Sequence, residues 1–174
     1  MKAAGVYLAI AVALALQTTL AQFTSEDRIW FDLVLVAVVY AALVTGPVTG
    51  MMAGAIGGLA QDALSGGIVG VGGLAKTVVG FVIGVIGSQF IVQQQVPRFV
   101  IFFGATLLHA ACFLGLYVLL DGRGFPSPYV RVLIEALVNA GAGVLVFQLT
   151  DSLPGALARR RARRTQVRGW RLRG

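Results

Sequence analysis

The sequence predicts an all-α integral membrane protein, six transmembrane helices in one compact bundle. Three observations carry that reading. Hydrophobic residues make up 57% of the 174 positions and charged residues only 12%, with a mean hydropathy of +0.86; a soluble domain is usually about 25% charged. The apolar residues come in runs near the roughly 20 residues that cross a bilayer. The polar breaks between those runs are short, which leaves no room for an inserted soluble domain.

The first apolar run covers roughly 3–22. Lys2 precedes it as a signal peptide's basic region would, but no A-x-A site follows it, so it reads as a retained helix. "TSEDR" separates it from the second run, 29–45. "TGPVTG" then opens the third, 47–63, and "ALSGG" turns the chain into the fourth, 71–91. "QQQVPR" leads to the fifth, 98–120, and "DGRGFPSP" to the sixth, 129–150. Residues 1–153 form the membrane domain and 154–174 a basic tail with eight arginines and no acid.

Arginine sets the orientation, because basic segments beside a span stay in the cytoplasm. The tail includes Arg159, Arg160, Arg161, Arg163 and Arg164, and with six spans the N-terminus lies on the same side. Ten Lys/Arg fall inside (Lys2, Arg98 and the eight of the tail) against Arg28, Arg123 and Arg131 outside. Next to a span, such a tail suits anionic lipid headgroups, at about 1 kcal/mol per basic residue, better than nucleic acid.

Glycine patterning comes next. Gly50, Gly54 and Gly58 repeat every four residues on the third span, and Gly73, Gly80, Gly84 and Gly87 follow one side of the fourth. Small residues at this spacing let membrane helices approach closely, so the third and fourth spans are expected to pack on each other.

The embedded charges all fall towards the outer side. Asp32 opens the second span, Asp62 ends the third, Lys76 sits about one turn into the fourth, and Arg131 and Glu135 begin the sixth. A charge at the bilayer centre costs on the order of 3 kcal/mol, so such groups pair or face a cavity. Asp32 and Asp62 also suit interfacial snorkelling or helix capping. Asp62 and Lys76 flank one hinge at similar depth, and a contact between them would hold that hairpin in register. Arg131, Glu135 and Asn139 form a stripe four residues apart; the two charges can satisfy each other, while Asn139 needs a partner in the bundle or on another protein.

Catalytic motifs are missing. No phosphate loop or H-E-x-x-H occurs, and His109 with Cys112 one turn on does not close a zinc site. A lone membrane histidine reads as a hydrogen-bonded packing residue, so no enzyme and no cofactor are expected.

The stretches "FDLVLVAVVYAAL" and "GPVTGMMAGAIGGLAQDALSGGIVGVGGLAKTVVGFVIG" resemble the bacterial rod shape-determining MreD family. The matching features are an aspartate opening a Leu/Val-rich second helix (Asp32), a glycine-rich third helix ending in aspartate (Gly54, Gly58, Asp62), and a G-x-x-x-L entry to the fourth (Gly70, Leu74). Phe31 departs from the proline expected before that aspartate. The resemblance implies a fold similar to the substrate-binding subunits of energy-coupling-factor transporters. It implies a non-enzymatic scaffold of the cell-elongation complex in the inner membrane, with MreC as direct partner, and MreB, RodA and its class B penicillin-binding protein in the same complex. A small-molecule-binding transporter subunit is the alternative reading.

The orientation is testable. In a Cys112-free background, a cysteine replacing Thr165 is expected to resist impermeant thiol reagents in intact cells and one replacing Ser127 to be labelled; the reverse pattern overturns the assignment.

Overall fold

The structure is a computed structural model that describes residues 3–23, 31–66, 68–89, 94–121 and 129–171, with side chains as far as Ser152. The described residues form six helices: α1 (Ala3–Phe23), α2 (Leu33–Thr45), α3 (Pro47–Ser65), α4 (Val71–Gln89), α5 (Gln95–Asp121) and α6 (Tyr129–Arg171). Lys2, Arg28, Arg123 and Ser127 lie outside the described residues, as do the side chains of the tail arginines.

By length and composition, three helices can cross a membrane: Val71–Gln89, Gln95–Leu120 and Tyr129–Ser152. Shorter apolar segments, Gly5–Leu20 and Leu33–Thr45, accompany them. Two boundaries differ from the sequence reading. Helix α2 begins at Leu33 because Asp32 caps it in an extended conformation. Helix α6 continues through the basic segment to Arg171.

Helix α2 is the hub. Its thirteen residues are apolar on every side, and Val34, Leu35, Val36, Val38, Val39, Ala41 and Ala42 are all buried. A helix apolar all round belongs inside a structure, and α2 touches each of the other five helices. On one side, Val34, Val38 and Ala41 pack with Val6, Ile10 and Ala13 of α1 and Ala53 of α3. On the other, Leu35, Val36, Val39 and Ala42 meet Val79 and Ile83 of α4, Phe102 and Ala105 of α5, and Ala140 and Phe147 of α6. Thirteen residues at 1.5 Å each make about 20 Å, short of the roughly 30 Å of hydrocarbon. The start of α2 therefore lies below the level of its neighbours' ends.

Helices α3 and α4 make the closest contact in the bundle. A Cβ on Gly58 would stand 2.6 Å from the Cα of Gly73, and one on Gly50 2.5 Å from the Gly80 carbonyl oxygen. A Cβ on Gly54 would strike the Lys76 carbonyl, and one on Gly84 the backbone of Pro47. Backbone therefore meets backbone, and dispersion acts at its shortest range without a side chain between. Gly66 and Gly70, at φ 68° and 107°, turn the chain between the two helices, in a region where only glycine is at ease.

Large apolar side chains face outward, among them Leu8, Val48, Leu74, Val100, Leu119, Leu137 and Leu145. Asp32, Lys76, Thr106 and Asn139 are buried. A soluble protein inverts that distribution, whereas lipid demands it.

Substituting Gly54 or Gly84 with alanine is expected to destabilise the bundle by about 1–3 kcal/mol, the usual penalty of overpacking. Gly104→Ala, where a Cβ meets nothing within 4 Å, should have little effect. Thermal unfolding in detergent distinguishes them, and equal tolerance at all three would place the glycine faces against lipid.

Candidate functional site

Asp32 precedes an apolar helix that would otherwise present unpaired N–H groups in a medium without water. Its Oδ1 accepts a hydrogen bond from Leu35 N at 2.9 Å, the N-cap arrangement. The Gln17 side chain of α1 takes a second of these orphan donors, Val34 N, at 3.3 Å. The other carboxylate oxygen of Asp32 binds Lys76 Nζ of α4 at 2.8 Å. The Asp32 backbone N–H donates to Asn139 Oδ1 of α6 at 2.9 Å.

The network continues through α5. Lys76 Nζ lies 3.2 Å from His109 Nε2. An ammonium has only hydrogens to give, so Nε2 accepts and a neutral ring carries its proton on Nδ1. Asn139 Nδ2 donates to Thr106 Oγ1 at 3.3 Å, and Thr106 returns its hydroxyl to the Phe102 carbonyl at 3.0 Å. Asp32 thereby links side chains from α4, α5 and α6 to the start of α2, and Gln17 of α1 joins them at Val34 N. Asp32 is 5% exposed and Lys76 2%, so each charge is compensated almost wholly by protein.

Asp62 takes the capping role that its place at a helix end suits. Its Oδ2 accepts from Gly70 N at 2.8 Å and Gly73 N at 3.0 Å. It caps the first turn of α4 from the end of α3, where a carboxylate also complements the helix dipole. The expected Asp62–Lys76 contact does not form, because Lys76 reaches past the hinge to Asp32. Asp32 itself is a buried pairing residue and does not snorkel to the interface.

Arg131, Glu135 and Asn139 share one face of α6 but divide in function. Asn139 is 1% exposed and committed to Asp32 and Thr106, so it cannot serve a partner protein. Gly143, one turn further, packs on the Phe102 ring. Arg131 and Glu135 form no ion pair with each other; the ion pairs among the described residues are Lys76–Asp32 and Arg98–Asp151. Both instead line a pocket of about 470 Å³ at the end of the bundle where α4 and α6 begin and α3 and α5 finish. Asp32, Asp62, Lys76 and His109 contribute to its walls, with Phe113, Leu114 and Tyr117 as its aromatic and apolar side. Trp30 and Phe125, which the sequence places at this end, lie outside the described residues.

His109 is the hydrogen-bonded packing residue that the sequence led one to expect, whereas the linking roles of Thr106 and Gln17 were missed. Gln17 and Thr106 are polar residues within otherwise apolar runs, and that was the available signal. Among the described residues no three His, Cys, Asp or Glu side chains gather as a metal site.

The family model described as rod shape-determining protein MreD matches residues 2–126. The chain belongs to the MreD family. MreD proteins are bacterial membrane proteins that act in determining rod cell shape. The matched range holds Gln17, Asp32, Asp62, Lys76, Thr106 and His109, while Asn139, which completes the network, lies beyond it. Comparisons with curated proteins and with solved structures give no significant match.

Removing one partner of a buried ion pair typically costs about 3–5 kcal/mol, because the other charge is stranded. Lys76→Met should therefore lower stability by that order. Adding Asp32→Asn, which keeps a capping oxygen, should recover a large part, a coupling expected only of residues in contact. Exchanging charges as Asp62→Lys with Lys76→Asp should recover nothing. Additive losses at Asp32 and Lys76 in detergent unfolding would contradict the pair.

Proposed function

We propose that this MreD-family chain is a non-enzymatic scaffold of the rod complex, lying in the bacterial inner membrane with both termini cytoplasmic and holding MreC. RodA with its class B penicillin-binding protein and MreB belong to the same assembly, and the basic segment of α6 rests on anionic lipid. The arginine bias supports that orientation.

The observation that carries this reading is the contrast between a committed interior and a bare α5. Asp32, Lys76, Asn139, Thr106 and His109 are bonded to one another, so the bundle behaves as a preformed body, and among the described residues no group is set up as nucleophile with its base. Helix α5 is apolar over 26 residues, yet only 17% of its most apolar window is buried within the chain, against 50% for α4. Its outward side carries Gly104, Ala111 and Gly115, and a Cβ on either glycine meets nothing within 4 Å. Where α3 and α4 meet, small residues receive a neighbouring backbone; the same residue types on α5 face outward, and the transmembrane helix of MreC is a suitable occupant.

Arg131 and Glu135 sit at the mouth of the pocket and Asn139 is structural. The polar stripe of α6 is thus the weaker docking candidate, and an Asn139→Leu change would disturb folding before it disturbed binding. Gly104→Leu with Gly115→Leu is expected to leave the thermal unfolding of the purified protein unchanged while reducing MreC recovered on pull-down about tenfold or more, a contact worth at least about 1.4 kcal/mol. Cells depleted of the protein should round up, and the double variant should fail to restore rods. Full MreC recovery with that variant would remove α5 from the interface.

A further inference from the structure

The pocket holds charges that the fold does not use. Arg131 and Glu135 lie one turn apart on α6, with opposite signs, and neither takes an ion-pair or hydrogen-bond partner among the described residues. Side chains at i and i+4 are neighbours and ordinarily pair. Here both line the same pocket and remain apart. Gln61 of α3 also lines it, and its amide oxygen is shielded from solvent without a hydrogen-bond partner. That oxygen is closed off from the pocket space, so the acceptor open to a ligand in this wall is the Glu135 carboxylate. The remaining wall is apolar and aromatic: Phe113 and Tyr117 stack at 6.4 Å, next to Leu114.

These features describe a receptor for a zwitterion on an apolar body. Glu135 is an acceptor with no hydrogen-bond donor among the described residues, and suits an ammonium. Arg131 is a donor fork with no acceptor, and its planar guanidinium suits a phosphate. The two residues stand about one helical turn apart along α6, roughly 5.4 Å along its axis, a separation on the scale of the two-carbon link between ammonium and phosphodiester. Arg131 is exposed and Glu135 half-buried, so the anion sits at the rim and the cation deeper. Lys76, also in the wall, is already neutralised by Asp32 and does not repel the cation as a free charge would.

We propose that this pocket binds the phosphoethanolamine group of an aminophospholipid, its ammonium on Glu135, its phosphate on Arg131, and its apolar part along Phe113, Leu114 and Tyr117. The site goes beyond the scaffold reading and does not depend on it. A free phosphoethanolamine compound offers the same polar chemistry without the chains, and the experiment separates the two sources.

The full-length protein, purified from nanodiscs of phosphatidylethanolamine and phosphatidylglycerol in equal amounts, is analysed for retained lipid by native mass spectrometry. Wild type should retain phosphatidylethanolamine preferentially. Glu135→Gln and Arg131→Gln should each lower that retention about tenfold or more, the loss of one charge-assisted hydrogen bond. Displacement of the lipid by millimolar phosphoethanolamine would support the polar recognition and assign it to a soluble source; resistance to displacement assigns it to the lipid. Equal retention of the two lipids by wild type overturns the proposal, as does undiminished phosphatidylethanolamine on Glu135→Gln. The wild-type selectivity decides the matter even if either variant folds poorly.

Discussion

The bundle depends on a buried carboxylate at the beginning of its shortest helix. Asp32 stands where α2 would otherwise expose unpaired N–H groups to a medium that cannot satisfy them. The same side chain that caps the helix carries a charge, and that charge needs an equal and opposite one close by. Lys76 supplies it at 2.8 Å. Since Lys76 is on α4, His109 on α5 and Asn139 on α6, satisfying one helix end fixes four helices relative to one another. Loss of any member leaves a buried polar group without its partner, and that penalty exceeds the net worth of the bond itself.

The glycine contact between α3 and α4 makes this geometry possible. With Gly54 against the Lys76 backbone and Gly58 against Gly73, α4 lies near enough to α2 for Lys76 to reach the Asp32 carboxylate. Asp62 secures the turn of the same hairpin by capping α4 through Gly70 and Gly73. Close packing and polar pairing are therefore coupled: bulk added at a glycine moves the lysine away from its aspartate, and loss of the ion pair releases the register that the glycines hold.

A body of this kind suits an MreD-family role in shape determination. Its interior polar groups are occupied in holding helices together, many large apolar side chains face outward, and the features left over are local: the exposed side of α5, and a pocket at one end where Arg131 and Glu135 form no ion pair among the described residues. Arg98 closes the opposite end in a comparable way, with Asp151 at 2.8 Å and the Phe147 ring beneath its guanidinium at 4.2 Å. Both ends of the packed helices are thus tied by charge, while the middle is held by apolar contact around α2.

Much of this was legible in the sequence, and the reason is local. Run length and apolarity decide where helices lie, and the six observed helices begin and end within a few residues of the runs at 3–22, 29–45, 47–63, 71–91, 98–120 and 129–150, the continuation of α6 excepted. Four-residue glycine spacing depends only on helical geometry, so the face carrying Gly50, Gly54 and Gly58 could be read in advance. An aspartate opening an apolar run is a cap by its position. Pairing was not legible, because it depends on which helix lies beside which. Asp62 and Lys76 are close in sequence and flank one turn, yet the short α2 brings Asp32 to the lysine and leaves Asp62 to the backbone of α4. Arg131 and Glu135 are spaced as a pair, but they form no ion pair and both line the pocket. Residue types and their spacing determined the elements and their faces; only the tertiary structure decided which charge meets which, because a buried charge takes the partner that packing places within reach.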